Sequence, residues 1–179
     1  MATKREATID DLYHVEGLAE IVNGELVLLP MTTGLHAFAA GEVFVALREY
    51  TRRTKSGYAY GDGVAFVVNL PNRRSFAPDA AFCTQPPTRT FVDGAPLFAV
   101  EIRSEEDYGP VAERRLAAKR ADYFAAGTPV VWDVDPVAER IHVYKASDPS
   151  RPTTYQRGQV ADAEPAVPGW RVAVDWIFR

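Results

Sequence analysis

The sequence predicts a mixed α/β fold of the α+β type, in which a central β-sheet is flanked by helices. Two apolar runs joined by Asn23-Gly24 indicate a β-hairpin near the start, because both residues tolerate positive φ angles. The nearly continuous apolar run at residues 96–103 indicates a strand that is covered on both faces. The chain has 179 residues and neither an internal repeat nor a linker. We therefore expect a single domain over residues 1–179.

The first third of the chain is predicted to contain two helices with the hairpin between them. Thr8 and Asp11 form a capping box that opens a short helix. The hairpin covers residues 19–29, and the longer helix that follows is expected to stop at Gly57. The predicted apolar stripe of that helix consists of Leu35, Phe38, Ala39, Val43, Ala46, Leu47 and Tyr50.

The rest of the chain is predicted to supply the sheet. A helix is expected at residues 110–126, with proline in its first turn and Gly127 just past its end. The apolar strand at residues 96–103 should lie centrally in the sheet, because both of its faces are apolar. Strands are predicted at residues 63–70, 76–83, 96–103, 130–134, 140–144 and 170–178.

Two acidic residues stand where the strand pattern calls for apolar ones. Glu101 interrupts the most apolar strand of the chain and shares a face with Leu97 and Ala99. A lone buried carboxylate is stable only when it is paired, protonated or bound to a metal. Asp79 follows Pro78 at the start of the preceding strand, where proline fixes the entry of the strand without breaking its ladder.

Lys119 is the third polar residue at an apolar position. The helix stripe that should face the sheet consists of Ala112, Leu116, Lys119, Tyr123 and Ala126. The lysine can snorkel to the edge, or it can point its ammonium at a cluster of negative charge. Two carboxylates on adjacent strands beneath such an ammonium form a coherent site. The acids can hold Mg²⁺, and the ion can activate water and neutralise the charge that grows on a phosphate.

Each of these residues also has a structural interpretation when it is taken alone. Glu101 could be an ion-pair partner of Arg103 or Arg74. Asp79 could belong to an ordinary Pro-Asp turn, and Lys119 could be a snorkelling helix residue. Only the combination of all three favours the functional interpretation.

In this order and spacing, the motifs resemble those of the PD-(D/E)XK nuclease superfamily. The wider chain is similar to one branch of it, the Uma-two family of putative restriction endonucleases, over about residues 9–145. The resemblance to the superfamily rests on Pro78-Asp79, Glu101-Ile-Arg103 and Lys119. The similarity to the family rests on Ala19 to Pro30, His36 at the start of a helix, Ala77 to Phe82, Ala95 to Ile102, and Lys119 to Pro136.

The resemblance implies a restriction-endonuclease-like fold and a catalytic lysine that is displaced onto the helix at Lys119. It also implies a site for Mg²⁺, or for Mn²⁺, formed by Asp79, Glu101 and Ile102. By the same analogy Glu20 is an additional acidic member of the site. An exposed charge on a hairpin strand is an equally good interpretation of Glu20.

Two features depart from the family pattern. Arg103 stands where the superfamily usually has a lysine; arginine can stabilise a phosphate, but it cannot act as a proton-transfer base at neutral pH. The usual Ser-Pro after that strand is Ser104-Glu105 here, and the acidic run at residues 105–107 would repel a phosphodiester backbone. Both departures bear on activity more than on fold.

Composition excludes several other classes of protein. The single cysteine, Cys83, rules out an internal disulfide and a cysteine-rich zinc site, and it is expected in the core. A net charge of −4 counts against a protein that coats DNA. No apolar stretch reaches the roughly 18 residues that span a bilayer, and no signal peptide is evident, so cytoplasm is expected. His14, His36 and His142 lack metal-ligand spacing and are expected to be surface or capped residues.

The functional hypothesis is an Mg²⁺-dependent endonuclease that hydrolyses nucleic acid, in the first place DNA. Asp79 and Glu101 would bind the metal, Lys119 would position the attacking water, and Tyr123 would support the lysine. The rival is a nuclease-fold protein without catalysis that serves as a DNA-binding or partner-binding module; Arg103 and the acidic run favour it. A homodimer formed through the C-terminal strand and its tryptophans is compatible with either hypothesis.

Overall fold

A computed structural model describes residues 5–179 of the chain. The helices are α1 (Ile9–His14), α2 (Gly34–Thr54), α3 (Pro110–Ala125) and α4 (Val174–Ile177). The strands are β1 (Ala19–Val22), β2 (Glu25–Leu28), β3 (Tyr58–Gly61), β4 (Phe66–Val67), β5 (Ser75–Phe76), β6 (Ala80–Cys83), β7 (Val92–Asp93), β8 (Phe98–Ile102), β9 (Val130–Asp135), β10 (Arg140–Lys145), β11 (Asp148–Gln156), β12 (Val160–Asp162) and β13 (Arg171–Ala173). None of the helices within the described residues combines the length and the apolar character that crossing a membrane requires.

The main sheet is mixed and has the strand order β11-β10-β9-β8-β6-β3. β8 and β9 run parallel, and the other neighbouring pairs are antiparallel. β8 lies between β9 and β6, so its predicted central position is confirmed. Smaller sheets are formed by β1-β2, by β12-β13 and by β5-β4-β7.

The two faces of the main sheet carry separate cores. Val43 and Leu47 of α2 pack with Val100 and Trp132 on one face. On the other face, Tyr123 of α3 packs in a second cluster. That cluster consists of Phe66, Val68, Phe76, Ala81, Cys83, Val92, Ala99, Tyr123 and Val131. Alternate residues of β8 therefore enter different cores, as the two-residue period of a strand requires.

The local signals near the start of the chain are confirmed. The Asp11 carboxylate accepts a hydrogen bond of 2.7 Å from the backbone N–H of Thr8, which caps α1. Asn23 and Gly24 have φ angles of 51° and 73°, so both central residues of the hairpin turn are left-handed. Val22 pairs with Glu25 across that turn. The observed turn and register are therefore those that the turn chemistry of Asn23-Gly24 predicts.

Two expectations about α2 are wrong. The helix ends at Thr54 and is capped by Lys55, which is left-handed with φ 58° and whose backbone N–H donates to the Thr51 carbonyl at 2.9 Å. Gly57 serves close packing instead, because a Cβ there would lie 2.6 Å from the Cys83 carbonyl oxygen. Leu35 and Phe38 of the predicted stripe are exposed.

The predicted strands need three corrections. The strand expected at residues 63–70 forms only at β4, and the one expected at 76–83 divides into β5 and β6 on either side of Pro78. The strand expected at 170–178 is β13 followed by α4. Strands β3, β7, β11 and β12 were not predicted.

The C-terminal tryptophans have different environments. Trp170 is buried against Trp132 with ring centroids 5.2 Å apart, whereas Trp176 is 52% exposed. Only the first of the two is a core residue. A homodimer formed through this segment stays a prediction.

Candidate active site

Strand pairing brings Asp79 and Glu101 together. Ala80 pairs with Val100 in the antiparallel β6–β8 ladder, and the Asp79 N–H donates to the Val100 carbonyl at 3.0 Å. Asp79 therefore lies just before the paired residues of β6, beside the end of β8 that carries Glu101, and its charge acts on the Glu101 carboxyl. The two side chains are 15% and 16% exposed, so both are largely buried and keep only limited contact with solvent.

Lys119 of α3 covers the face of β8 that carries Glu101. Its ammonium lies 2.7 Å from Glu101 Oε2 and 2.9 Å from Glu20 Oε1. Burial lowers the pKa of Lys119, but the negative charges of Glu101 and Glu20 outweigh it and raise that pKa above its ordinary value. The lysine is therefore a protonated donor at neutral pH and not a base. We call Glu20, Asp79, Glu101 and Lys119 the ion cluster.

Glu20 is buried, so its interpretation as an exposed hairpin charge is wrong. The hairpin packs onto the segment around β5: the Ile21 N–H donates to Ser75 Oγ at 2.9 Å. Arg73 then donates to Glu20 Oε2 at 2.6 Å, and the Ala77 N–H donates to Oε1 at 2.9 Å. Burial raises the pKa of Glu20, but the charges of Lys119 and Arg73 outweigh it and lower that pKa. Glu20 is therefore ionised at neutral pH and forms an ion pair with Lys119.

Tyr123 contacts the glutamate. Its hydroxyl donates to Glu101 Oε1 at 2.6 Å, and its buried ring stacks on Phe76 with centroids 3.9 Å apart. Burial raises the pKa of Tyr123 well above its ordinary value, so the hydroxyl stays a neutral donor. Glu101 also accepts a hydrogen bond from Lys119. The tyrosine therefore fixes the orientation of the carboxylate that pairs with the lysine.

The Glu101 carboxyl titrates near neutrality. Burial raises its pKa to about 7, the positive charge of Lys119 opposes this, and the negative charges of Asp79 and Glu20 add to it. A cation bound beside Glu101 would favour its ionised form.

The donor set fits a hard divalent cation. Mg²⁺ is usually held by one or two carboxylates and keeps several waters. Asp79 Oδ1 accepts no hydrogen bond from the described residues, and each Glu101 oxygen accepts one. The Ile102 side chain is buried in the α2 core, so only its main chain can face the cluster. Across residues 5–179, no three His, Cys, Asp or Glu side chains form a group that could hold a metal by themselves.

His36 belongs to this region, which contradicts its expected surface or capped role. It lies in the first turn of α2, is 4% exposed, and places Nε2 3.3 Å from Asp79 Oδ2. Burial lowers the pKa of His36, but the hydrogen bond to Asp79 and the charge of Asp79 raise it overall. The missed signal was its position in the buried stripe of the helix with Ala40, Val43 and Leu47.

Arg103 pairs with carboxylates that do not belong to the ion cluster. Its Nε and Nη2 donate to the two oxygens of Asp133 at 2.7 and 2.9 Å, and it also pairs with Glu113. The proposed pairing of Glu101 with Arg103 or Arg74 is therefore wrong, because Glu101 pairs with Lys119. The buried guanidinium links Glu113 of α3 to Asp133 of β9. The expectation that Arg103 stabilises a phosphate is therefore not supported.

The acidic run after β8 is partly neutralised. Asp107 accepts from the Ser104 N–H at 2.8 Å and pairs with Arg115 at 2.7 Å. Glu105 and Glu106 are exposed. The repulsion expected of the run is therefore reduced to two solvated charges.

The chain is similar to known proteins in sequence and in fold. The model of the Uma2 family, described as "Putative restriction endonuclease", matches residues 9–175. The crystal structure of a putative nuclease belonging to DUF820 from Anabaena variabilis is similar, with a TM-score of 0.74 and 15% identity, over 96% of this chain and 97% of that chain. A search of proteins with curated function found no match. The structural likeness confirms the predicted nuclease-like fold, and the match over residues 9–175 shows that the chain belongs to the Uma2 putative restriction endonuclease family.

Proposed function

We propose that this protein is a divalent-metal-dependent endonuclease that hydrolyses phosphodiester bonds of nucleic acid, in the first place DNA. The observation that carries the proposal is the position of the Lys119 ammonium, 2.7 Å from Glu101 and 2.9 Å from Glu20. The β6–β8 ladder brings Asp79 near Glu101. The family description supports the same class of reaction.

In this proposal Asp79 and Glu101 hold Mg²⁺ or Mn²⁺, together with the main chain of Ile102. The bound ion would supply a Lewis acid that lowers the pKa of water and offsets charge on the phosphate. Glu20 pairs with Arg73, and Lys119 is shared between Glu20 and Glu101. The single charge of Lys119 does not balance both Asp79 and Glu101, and a divalent cation beside them would offset the remaining negative charge.

Lys119 acts as a donor. An ammonium has three N–H groups, and two of them face Glu101 and Glu20. The third is left to orient the attacking water or to contact a phosphate oxygen as its charge grows. Tyr123 and the Ala77 N–H keep this donor in place, because they hold its two carboxylate partners, Glu101 and Glu20, in fixed positions.

The test is cleavage of supercoiled DNA, linear DNA and RNA with Mg²⁺ or Mn²⁺, using native protein, Asp79→Ala, Glu101→Ala and the control Glu49→Ala. Glu49 is an exposed carboxylate on α2. We expect cleavage by the native protein and the control only, with circular dichroism showing that all variants are folded. Cleavage that persists in both site variants means that the reaction uses another site. A native protein that binds nucleic acid without cutting it would instead favour the non-catalytic module.

A further inference from the structure

We propose that His36 is a positioning residue of this site, which holds the Asp79 carboxylate so that its Oδ1 oxygen is left for a metal ion. The inference rests on the proposed function. His36 is not a member of the ion cluster. It lies on α2, which packs on the opposite face of the main sheet from α3 and Lys119.

Two donors meet on a single oxygen of Asp79. The Ile102 N–H donates to Oδ2 at 2.6 Å, and His36 Nε2 lies 3.3 Å from the same atom. An ionised carboxylate only accepts hydrogen bonds, so Nε2 must carry the proton in this contact. The donors come from β8 and from α2, and together they fix the rotation of the carboxylate. Oδ1 accepts nothing from the described part of the chain.

The environment of His36 indicates that this contact is the reason for a histidine here. The side chain is buried among the apolar residues of the α2 stripe. Its Nδ1 atom is also buried and has no hydrogen-bond partner among the described residues. Buried polar atoms are nearly always satisfied, because an unsatisfied one costs stability. An apolar side chain would serve packing better, so the imidazole is explained by the Asp79 contact.

In this proposal His36 would contact a metal ligand, Asp79, without contacting the metal itself. Residues that hydrogen-bond a ligand fix its orientation, and their loss typically weakens metal affinity by about 10- to 100-fold. For Asp79, loss of the imidazole would free the carboxylate to rotate about its remaining bond to the Ile102 N–H.

The experiment compares Mn²⁺ affinity in native protein, His36→Leu, His36→Gln and the control His14→Leu, by electron paramagnetic resonance of unbound Mn²⁺. Leucine keeps the apolar volume and cannot donate, whereas the glutamine amide can replace Nε2. His14 is exposed and lies on α1. We expect His36→Leu to lose about 10-fold or more in affinity, with His36→Gln and the control close to native. At saturating Mn²⁺ the cleavage rate of His36→Leu should return toward the native rate, because positioning acts on metal occupancy.

A purely structural role makes a different set of predictions. It would lower the melting temperature of His36→Leu and leave the Mn²⁺ affinity of the folded protein unchanged; that result overturns the proposal. A crystal structure of metal-free His36→Leu separates this failure from failure of the proposed function. A rotated Asp79 carboxylate supports positioning even if the native protein binds no Mn²⁺. An Asp79 side chain in its native orientation overturns positioning in either case.

Discussion

Replacing Arg103 with lysine would restore the residue that the superfamily pattern calls for two positions after the glutamate. The structure predicts a loss of stability from this change and no gain in cleavage. Arg103 donates to both oxygens of Asp133, a residue that is 2% exposed, and it also pairs with Glu113. Lysine is a single point charge and cannot reproduce such a fork of donors.

The magnitude follows from the contacts. Removing one partner of a buried ion pair costs about 3–5 kcal/mol. Arg120 still donates to Asp133 at 2.9 Å, so Arg103→Ala should fall at the low end, about 3 kcal/mol. Arg103→Lys keeps the charge and loses one charge-assisted hydrogen bond to Asp133, so it should cost about 1.5–3 kcal/mol.

Urea unfolding measures both free energies of unfolding. Arg114→Lys is the matched control, because Arg114 is exposed on the same helix, and it should change stability by less than about 0.5 kcal/mol. Cleavage per folded molecule is measured in parallel. An Arg103→Lys protein that is as stable as native and cuts faster would refute the structural role of Arg103.

Three other predictions test the site and the fold. Lys119→Met should lower the single-turnover cleavage rate at saturating metal by about 100-fold, because it removes a preorganised donor; an unchanged rate would contradict the role of the lysine. The pKa of Glu101 is raised from 4.5 to about 7, so the unfolded chain releases this proton at lower pH than the folded protein does. Metal-free native protein should therefore lose stability relative to Glu101→Gln between pH 5 and pH 8, by up to about 3 kcal/mol in urea unfolding; a gain would contradict the burial argument. Gly57→Ala should destabilise by about 1–3 kcal/mol in thermal unfolding, since its Cβ would lie 2.6 Å from a carbonyl oxygen, whereas Gly34→Ala meets nothing within 4 Å and should be nearly neutral.

The parts of the fold that were predicted correctly depend on local chemistry. The Asn23-Gly24 turn, the Asp11 cap and Gly127 after α3 all act within a few residues of themselves. Strand β11 was missed because its sequence contains Pro149 and Pro152, which argue against a strand. It is an edge strand, where proline is tolerated, and only its pairing with β10 reveals it.

The candidate site shows the same division. Asp79, Glu101 and Lys119 could be identified because each breaks an apolar pattern within its own element. The burial of Glu20 depends on how the hairpin packs near β5 and on Arg73, which is far from it in sequence. His36 was grouped with two solvent-accessible histidines, although its helical position placed it in a buried stripe.

The most direct test of the metal site is titration calorimetry of Mg²⁺ and Mn²⁺ into native protein and Glu101→Gln. Glutamine keeps the size of the side chain and removes the negative charge that a hard cation requires. We predict that the native protein binds the ion and that binding is lost in the variant. Equal binding by both proteins, or binding by neither, would contradict a metal site at Asp79 and Glu101.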